Sequence, residues 1–399
     1  MNRPTITCEI AFTTDPAATP VWTDVSAYVL SFQTRRGRNM ELDRMTAGTA
    51  SVELNNHDRR FEPGRAASPY YPNVLPMRRL RLRATWNTVT YDLFHGFVEQ
   101  WPQTYEGWGN DGRVQVTAVD AFEILTNAVF ASVGARTTER SDLRVAYVLD
   151  QIGWPAADRS LSVGQSTIQA YDFDSYNALQ HLQEVGETEN GVVFVDGTGR
   201  VVFHDRHRRF KSPYSTVAAS FGDASGENPY AGMVLNFSKD QIRNDVNGVR
   251  ANDAAAVPVN ERDTSSVVSY LQRSYPSGGA KALWVTSDLE VADWTRYTLS
   301  RYKEPSLRID SFTVESQTDA TVLWPLVLGR EIGDKINVKR RPDGGTAISQ
   351  DSHVEAVSHA DDGTRFSTTF GLSPADPQTY WAAGQAGYSE AGMTTKVAY

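Results

Sequence analysis

The sequence has 399 residues, of which 40% are hydrophobic and 22% are charged, and its net charge is −9. This composition is typical of a globular chain of two or three domains, and the acidic balance argues against tight, non-specific binding of nucleic acid, which needs phosphate neutralisation. No apolar run approaches the roughly 20 residues of a membrane span, and no basic segment followed by an apolar core marks secretion. The single cysteine, Cys8, excludes an intrachain disulfide and a cysteine-rich zinc site, and it fits synthesis in a reducing cytoplasm.

Residues 1–130 are predicted to form a first β domain. Apolar and polar residues alternate with the period of half-buried strands in 5–12, 22–32 and 49–55. Residues 35–48 are polar and carry two glycines, and we expect them to be a flexible segment between the second and third of these strands.

The first domain is predicted to end in a module of three strands, which follows a proline-rich loop at 63–76. The strands of the module are expected at 80–86, 97–99 and 114–118, with an Asp111-Gly112 turn before the third. A short helix follows, because Asp120 and Glu123 have the spacing of a capping box.

Residues 131–215 differ in character and are predicted to form a small α/β insert domain. Helical spacing of apolar residues predicts one helix that Ser141 caps and a second helix that begins near Asp174. Two runs of valine and phenylalanine, at 192–195 and 201–203, predict a hairpin.

Residues 216–375 return to β patterning and are predicted to form a second β domain with one helix. That helix begins at Ser287, which forms a capping box with Glu290, and it ends near Lys303. Residues 376–399 form a C-terminal tail of mostly small and polar residues, and such a tail is usually mobile until a partner orders it.

The three-strand module of the first domain recurs about 250 residues later in the chain. Residues 336–339 alternate as 80–83 do, and His353-Val354-Glu355 follows at the spacing at which Phe97-Val98-Glu99 follows the first copy. A turn of the sequence Asp-Gly and a further strand complete the second copy. Two copies are too few for a solenoid, so the repeat predicts two related β domains in one chain.

Residues that commonly bind metal or phosphate are scattered in this sequence. The closest histidines, His204 and His207, follow a predicted strand among basic residues that would repel a cation, so we expect a solvated strand end there. The basic residues at 206–211 and 78–83 could contact phosphate, although the acidic net charge favours salt-bridged or solvated surfaces.

Motifs typical of enzymes are missing from the sequence. Helix capping explains Asp172 or Asp174 better than catalysis does, and nothing sets the separation between carboxylates that a glycosidase needs. The same holds for the acidic residues Glu184, Glu187 and Glu189. Residues 277–281 lack the spacing of a phosphate-binding loop, no Gly-x-Ser-x-Gly elbow occurs, and Cys8 falls in a predicted strand. We therefore expect no enzyme, with no catalytic residues, no cofactor and no metal ion.

Several short segments share one resemblance. In the first half they are Leu42-Asp43-Arg44, Glu53-Leu54-Asn55-Asn56, Arg59-Arg60-Phe61-Glu62-Pro63 and Gly96-Phe97-Val98-Glu99. In the second half they are Leu323-Trp324-Pro325, Glu331-Ile332-Gly333-Asp334, His353-Val354-Glu355 and the residues 368–374. Together they cover roughly residues 25–375, and they resemble the minor tail proteins of long-tailed, siphophage-like bacteriophages, in the tail hub or baseplate hub family.

This resemblance implies a mainly β fold with an α/β insert, in which two tail-tube-like β-barrels accompany a small helix-and-hairpin domain. It implies a structural virion protein, the tail hub, in which a homotrimer forms a six-barrel ring between the tail tube and the tail tip. The expected partners are distal tail or tail tube proteins on one side and tail tip or fibre proteins on the other. The channel would pass the tape measure protein and phage DNA without tight binding, and this chain would not insert into a membrane. The expected location is the tail tip of the virion, after assembly in the host bacterial cytoplasm.

Two other functions stay open at this point. A host-surface module that binds carbohydrate would present a shallow, exposed cluster of aromatic residues, whereas a hub would bury its aromatic residues in barrels and interfaces. A tip enzyme that cuts the cell wall would need a cleft with converging titratable groups, and the expected motifs are missing.

Overall fold

The largest feature of the molecule is one sheet of 14 strands that draws on both halves of the chain. The computed structural model describes residues 3–105, 107, 112–131, 134–172, 175–375, 379–381 and 395–397. Strands predominate over helices, and nearly all neighbouring strands of the large sheet are antiparallel. The predicted mainly β fold class is therefore confirmed.

The first half of the large sheet comes from the N-terminal part of the chain. Its strands are β1 (Thr5–Ile10), β2 (Thr23–Asp24), β3 (Val29–Gly37), β4 (Thr46–Asn55), β5 (Arg79–Trp86), β6 (Val89–Gln100), β7 (Gln103–Thr104) and β8 (Arg113–Val119). They lie in the order β2-β1-β5-β6-β8-β4-β3, and β7 pairs with β8 beyond the end of β6. Alternate residues of β4, β5 and β8 are buried in a shared core, as their sequence pattern predicts.

Two sequence predictions in this half are wrong. The strand expected at 22–32 is divided into β2, a short 3₁₀ turn at Ser26–Tyr28 and β3, and the segment 35–48, expected to be flexible, contributes the ends of β3 and β4. Arg36 explains the second error. Its side chain is only 3% exposed, and it donates to the Leu93 carbonyl at 3.1 Å and pairs with Glu331 at 2.6 Å. Because these partners are distant in sequence, the local pattern of polar and apolar residues does not predict that Arg36 is buried.

The α/β insert follows a short helix, α1 (Phe122–Asn127). Its elements are β9 (Ala135–Arg136), β10 (Glu139–Arg140), α2 (Ser141–Gln151), β11 (Arg159–Leu161), β12 (Thr167–Ile168), β13 (Tyr171–Asp172), α3 (Ala178–Thr188), β14 (Val192–Val195) and β15 (Val201–His204). The predicted helices and hairpin are present, but Ser141 is the first residue of α2 and not its cap, because its hydroxyl donates to Glu189 at 2.6 Å. Asn177 caps α3, and Asp174, where that helix was expected to begin, lies outside the described residues.

The second half of the large sheet is interrupted by a smaller α/β unit. The strands and helices are β16 (Val217–Phe221), β17 (Gly232–Asn236), β18 (Asp245–Arg250), β19 (Val259–Arg262), α4 (Thr264–Tyr270), β20 (Ser274–Tyr275), β21 (Lys281–Leu283), α5 (Asp288–Tyr302), β22 (Arg308–Val314), α6 (Ala320–Leu328), β23 (Lys335–Arg340), β24 (Ile348–Asp361) and β25 (Phe366–Pro374). The interrupting unit has its own sheet, β18–β21, and α5 packs on it around a separate small core.

The prediction of one helix in residues 216–375 is therefore wrong, since α4, α5 and α6 all lie there. The capping box at Ser287 does begin α5, with the Ser287 hydroxyl accepting from the Leu289 N–H at 3.2 Å. The pattern misses α4 because it is short, and α6 because Pro325 lies inside it. In the tail, the strands β26 (Thr379–Trp381) and β27 (Thr395–Val397) pair in parallel. The domain boundaries proposed from the sequence stay a prediction.

Both halves of the large sheet have the same strand order. The first reads β1-β5-β6-β8-β4-β3, and the second reads β16-β23-β24-β25-β22-β17. The register also agrees, because Leu80 pairs with Gly96 as Ile336 pairs with Ser352. A β-bulge falls at the same place in both copies, at Glu99 and at Glu355. The internal repeat predicted from the sequence is thus present, with one difference: β16 runs parallel to β23, whereas β1 runs antiparallel to β5.

Candidate functional site

The two halves of the sheet meet along one long strand, β24. Its first part, residues 348–353, pairs with β23 of its own half, and its second part, residues 356–361, pairs antiparallel with residues 32–37 of β3. One strand therefore belongs to both halves, and the line where β3 meets β24 is the junction between the two repeats.

Gly37 allows the two strands to approach closely at the end of this junction. Its φ is +109°, and a Cβ atom there would lie 2.1 Å from the carbonyl oxygen of Glu355. Only glycine combines this backbone conformation with the space available. The approach also brings the next residue, Arg38, beside the bulge at Glu355, where the Arg38 N–H donates to the Glu355 carbonyl at 3.0 Å.

A group of five charged residues surrounds the bulge, with Arg38 and Glu355 buried and the other three partly buried. The carboxylate of Glu355, which is 0% exposed, accepts from Arg38 Nε at 2.8 Å, from Arg209 Nη2 at 2.5 Å and from the Ser373 hydroxyl at 2.5 Å. Glu41 in turn pairs with Arg209 at 2.9 Å and with Arg301 at 3.1 Å. We call Arg38, Glu41, Arg209, Arg301 and Glu355 the junction cluster.

The charges of the junction cluster keep its carboxylates ionised. Burial by itself raises the pKa of Glu355, but the positive charges of Arg209 and Arg38 outweigh burial and hold this pKa below its usual value. Burial likewise raises the pKa of Glu41, and Arg301 and Arg209 lower it by more. The cluster connects four parts of the molecule by ion pairs, namely the first half of the sheet, the insert, α5 and the second half of the sheet. These ion pairs hold the four parts together.

A cavity of about 1130 Å³ opens beside the junction cluster. Besides cluster members, its lining includes Asp205, Arg308 and Asp351. The two signs of charge are mixed along its wall. Among the described residues, no group of three or more histidine, cysteine, aspartate or glutamate side chains could hold a metal ion. The cavity wall therefore offers polar contacts of both signs.

His204, one of the two histidines considered as metal ligands, is packed among aromatic rings. His204 ends β15 and is buried, with its ring packed edge-on against Phe194 and Tyr214. Burial, with the nearby charges of Arg208 and Arg209, lowers the pKa of His204 to about 3. The expected solvated strand end is wrong for this residue, because the insert and the second half of the sheet cover it.

The two basic segments are salt-bridged, which is one of the two alternatives that the net charge favours. Arg206 pairs with Glu189 at 3.1 Å, and Arg209 belongs to the junction cluster. On β5, Arg81 and Arg83 both pair with Glu9, at 2.6 and 2.5 Å.

The acidic residues of α3 and its end anchor neighbouring elements. Glu184 accepts from the Tyr176 hydroxyl at 2.6 Å and from Trp284 Nε1 at 2.9 Å. Glu187 pairs with Arg44 at 2.8 Å and with Lys281 at 2.7 Å. The segment 277–281 therefore contributes a salt bridge. Cys8 is buried in β1, and burial raises the pKa of its thiol well above the usual value.

Sequence reasoning missed the junction cluster. Arg38 and Glu41 fell in the segment expected to be flexible, and Arg301 looked like an ordinary residue at a helix end. One signal was available in the sequence. Glu355 stands in the second copy of the module where Glu99 stands in the first, which indicates that the two glutamates have equivalent structural positions.

Comparison by sequence finds no protein-family model and no curated protein that matches this chain. Comparison by structure does find matches. The 43 kDa tail protein of a Shewanella oneidensis prophage aligns with a TM-score of 0.56 and 13% identity, over 92% of this chain and 98% of that one. A tail protein from Neisseria meningitidis aligns with a TM-score of 0.60 and 10% identity, over 94% of this chain and 97% of that one.

A third structure extends the likeness beyond phages. It is a component of the type VI secretion system of E. coli that is structurally similar to the T4 bacteriophage tail proteins gp27 and gp5. It aligns with a TM-score of 0.51 and 12% identity, over 88% of this chain and 74% of that one. This chain therefore has the fold of bacteriophage tail proteins, and the resemblance predicted from the sequence is confirmed at the level of the fold. Within the described part of the chain, every helix is too short or too polar to cross a lipid bilayer.

Proposed function

We propose that this chain is a tail hub, a structural virion protein that joins the tail tube to the tail tip as a trimeric ring with a channel for DNA. The observation that carries the proposal is the internal repeat: two units of the same strand order and register lie side by side in one sheet. Three chains supply six such units, the number that matches a hexameric tube. The tail-protein fold found over more than nine-tenths of the chain supports the same assignment.

The junction cluster fits a protein whose task is geometric. Buried ion pairs hold fixed positions only when every partner is present, since an unpaired buried charge is costly. With Glu355 pairing to Arg38 of the first half and Arg209 of the insert, the angle between the two repeats is tied to one arrangement. A ring that must stay open while DNA passes needs this rigidity. No enzymatic activity is part of the proposal.

The partners and the channel follow from the same proposal. Tail tube or distal tail proteins would lie on one face of the ring and tail tip or fibre proteins on the other, in the virion. The net charge of −9 supports a lumen that repels phosphate, so that DNA and the tape measure protein pass without tight binding. Mapping the electrostatic potential over the assembled ring tests this point, and a net basic channel would contradict it.

The buried aromatic residues favour the hub over a carbohydrate-binding module. Large rings such as Trp324, Phe61 and Phe312 are fully buried and pack against other rings of the cores, Phe61 stacked on Trp101, Phe312 stacked on Phe370 and Trp324 edge-on to Phe366. A sugar-binding surface would need such rings exposed on a shallow face.

The native mass of the purified protein tests the proposal most directly. Three chains of 44.2 kDa give 3 × 44.2, about 133 kDa, and class averages in the electron microscope should show a ring with an open centre. A chain that stays monomeric both alone and with a tail tube protein, and that binds on a glycan array, would overturn the hub in favour of the host-binding module.

A further inference from the structure

In each repeat, the edge that forms the junction is paired inside the chain, whereas the edge equivalent to the other repeat's junction edge is not paired among the described residues. The junction pairs β3 of the first repeat with residues 356–361 of the second. The structural equivalents of these two edges are β17 in the second repeat and residues 100–105 in the first. Among the described residues, β17 pairs only with β22, and the end of β6 with β7 pairs only with β8 beyond residue 98. The chain therefore carries the two sides of a second junction, both unpaired.

Strand pairing fixes which residues are equivalent. In each repeat a line of paired residues crosses four strands, along Gln100, Thr117, Ser51 and Gln33 in the first and Ala356, Gly371, Ser311 and Val234 in the second. Counting along the strands from Gln33 and Val234, Thr34 corresponds to Leu235 and Arg36 to Phe237. The match extends to β7, since Gln103 pairs with Val114 as its equivalent His359 pairs with Thr368.

The free edge of β17 is apolar and exposed. Val234, Leu235 and Phe237 are 54%, 39% and 65% exposed, whereas Thr34 and Arg36, the equivalents of the last two, are each only 3% exposed. The difference arises because β24 pairs with the edge of β3, while no described strand pairs with the equivalent edge of β17. An unpaired strand with apolar side chains is a site for adding another strand.

The charges at the two free edges match the buried pair of the internal junction. Glu99 occupies the bulge position of Glu355, and Lys239 occupies the position of Arg38. Inside the chain, Arg38 and Glu355 form a buried pair at 2.8 Å. Glu99 and Lys239 are both exposed, and neither forms an ion pair with another described residue. Their signs are those that an equivalent junction between two chains requires.

We infer that β17 and the residues after it, 237–239, dock on residues 99–105 of a second copy of this chain and continue the sheet across the interface. In the strand register, Phe237 would lie opposite Trp101 of the neighbouring chain, as Arg36 lies opposite Val357 within one chain. Lys239 would form an ion pair with Glu99 of the neighbouring chain. This inference rests on the proposed ring and names the surface that builds it. The two edges differ, so the contact is head-to-tail, and a head-to-tail contact closes into a ring when its rotation permits.

Disulfide trapping tests the contact. Gln103 and Leu235 are equivalent to His359 and Thr34, which lie directly opposite each other across the internal junction. The variant Gln103→Cys with Leu235→Cys should therefore form covalent dimers and trimers on mild oxidation. The native Cys8 does not compete because it is fully buried. The matched control, Gln103→Cys with Val268→Cys, places the second thiol on α4, where Val268 is 86% exposed, and should stay monomeric on a non-reducing gel. Equal cross-linking in both variants, or none in either, overturns the inference.

Charge exchange provides a second test with its own control. Glu99→Lys and Lys239→Glu should each raise the dissociation constant of the assembly at least tenfold, because each places like charges together. The double variant should recover to within about threefold of the native protein. Single variants that assemble normally would overturn the inference. A native mass of three chains without cross-linking would leave the hub in place and reject these edges, whereas cross-linked open chains without closed rings would support the edges and count against the hub.

Discussion

Glu355 is the centre of the junction between the repeats, and Glu355→Gln removes its charge at nearly constant size. Arg38, at 2.8 Å, would then lie buried beside a neutral amide, and Arg209 would keep only Glu41. Breaking a buried ion pair by neutralising one partner costs about 3–5 kcal/mol. Because Arg209 retains a second carboxylate, we expect the lower end of that range, a loss of about 3 kcal/mol in the free energy of unfolding.

The internal repeat provides a matched control for this experiment. Glu99→Gln changes the same residue at the equivalent bulge, where the side chain is exposed and has no ion-pair partner among the described residues. At a protein concentration low enough to keep the chains apart, we expect this variant to change stability by less than about 0.5 kcal/mol. Urea unfolding followed by circular dichroism measures both. Equal shifts for the two variants, or a loss below about 1 kcal/mol for Glu355→Gln, would refute the reasoning about burial.

Three further expectations follow from the packing. Gly37→Ala should cost about 3 kcal/mol, since the new Cβ meets the Glu355 carbonyl at a strained φ, whereas Gly64→Ala, also at positive φ but in open space, should cost about 1 kcal/mol in the same urea titration. Trp324→Ala should cost about 3–5 kcal/mol by leaving a cavity under α6, and a loss below about 1 kcal/mol in thermal unfolding would contradict its burial. Burial lowers the pKa of four histidines to about 3; they are His181, His204, His353 and His359. In the unfolded chain a histidine has a pKa near 6.5, so below that pH the unfolded chain binds more protons than the folded one, and the free energy of unfolding should fall by up to about 1.4 kcal/mol per histidine for each pH unit. Urea midpoints that stay constant between pH 7.5 and 5.5 would contradict this expectation.

Local pattern was enough where a structure depends on neighbours in sequence. The alternation in β5 and β8 predicted half-buried strands, and the spacing of Ser287 and Glu290 predicted the start of α5. The repeat was also visible in the sequence, because equal strand lengths and turns leave equal spacings. Both copies accordingly pair with the same register and carry the same bulge.

Local pattern failed where a polar or irregular segment depends on distant partners. The end of β3 looked like a loop because Arg36 is polar. Its burial is favourable because its guanidinium donates to the carbonyls of Leu93 and Val195 and pairs with Glu331, all distant in sequence. The helix α6 was hidden by Pro325, and the small α/β unit at β18–β21 gave no boundary signal within the second β domain.

The sequence by itself therefore determined the regularly alternating strands, several turns and the existence of two related units, because periodicity and turn chemistry act over a few residues. Only the tertiary structure decided how the two units join. Arg38 and Glu355 are 317 residues apart in the chain, and Arg209 and Glu355 are 146 apart. A charged side chain has the same local signature whether it lies in water or in a buried pair, so the choice of partner is made only when the chain has folded and excluded water from the junction.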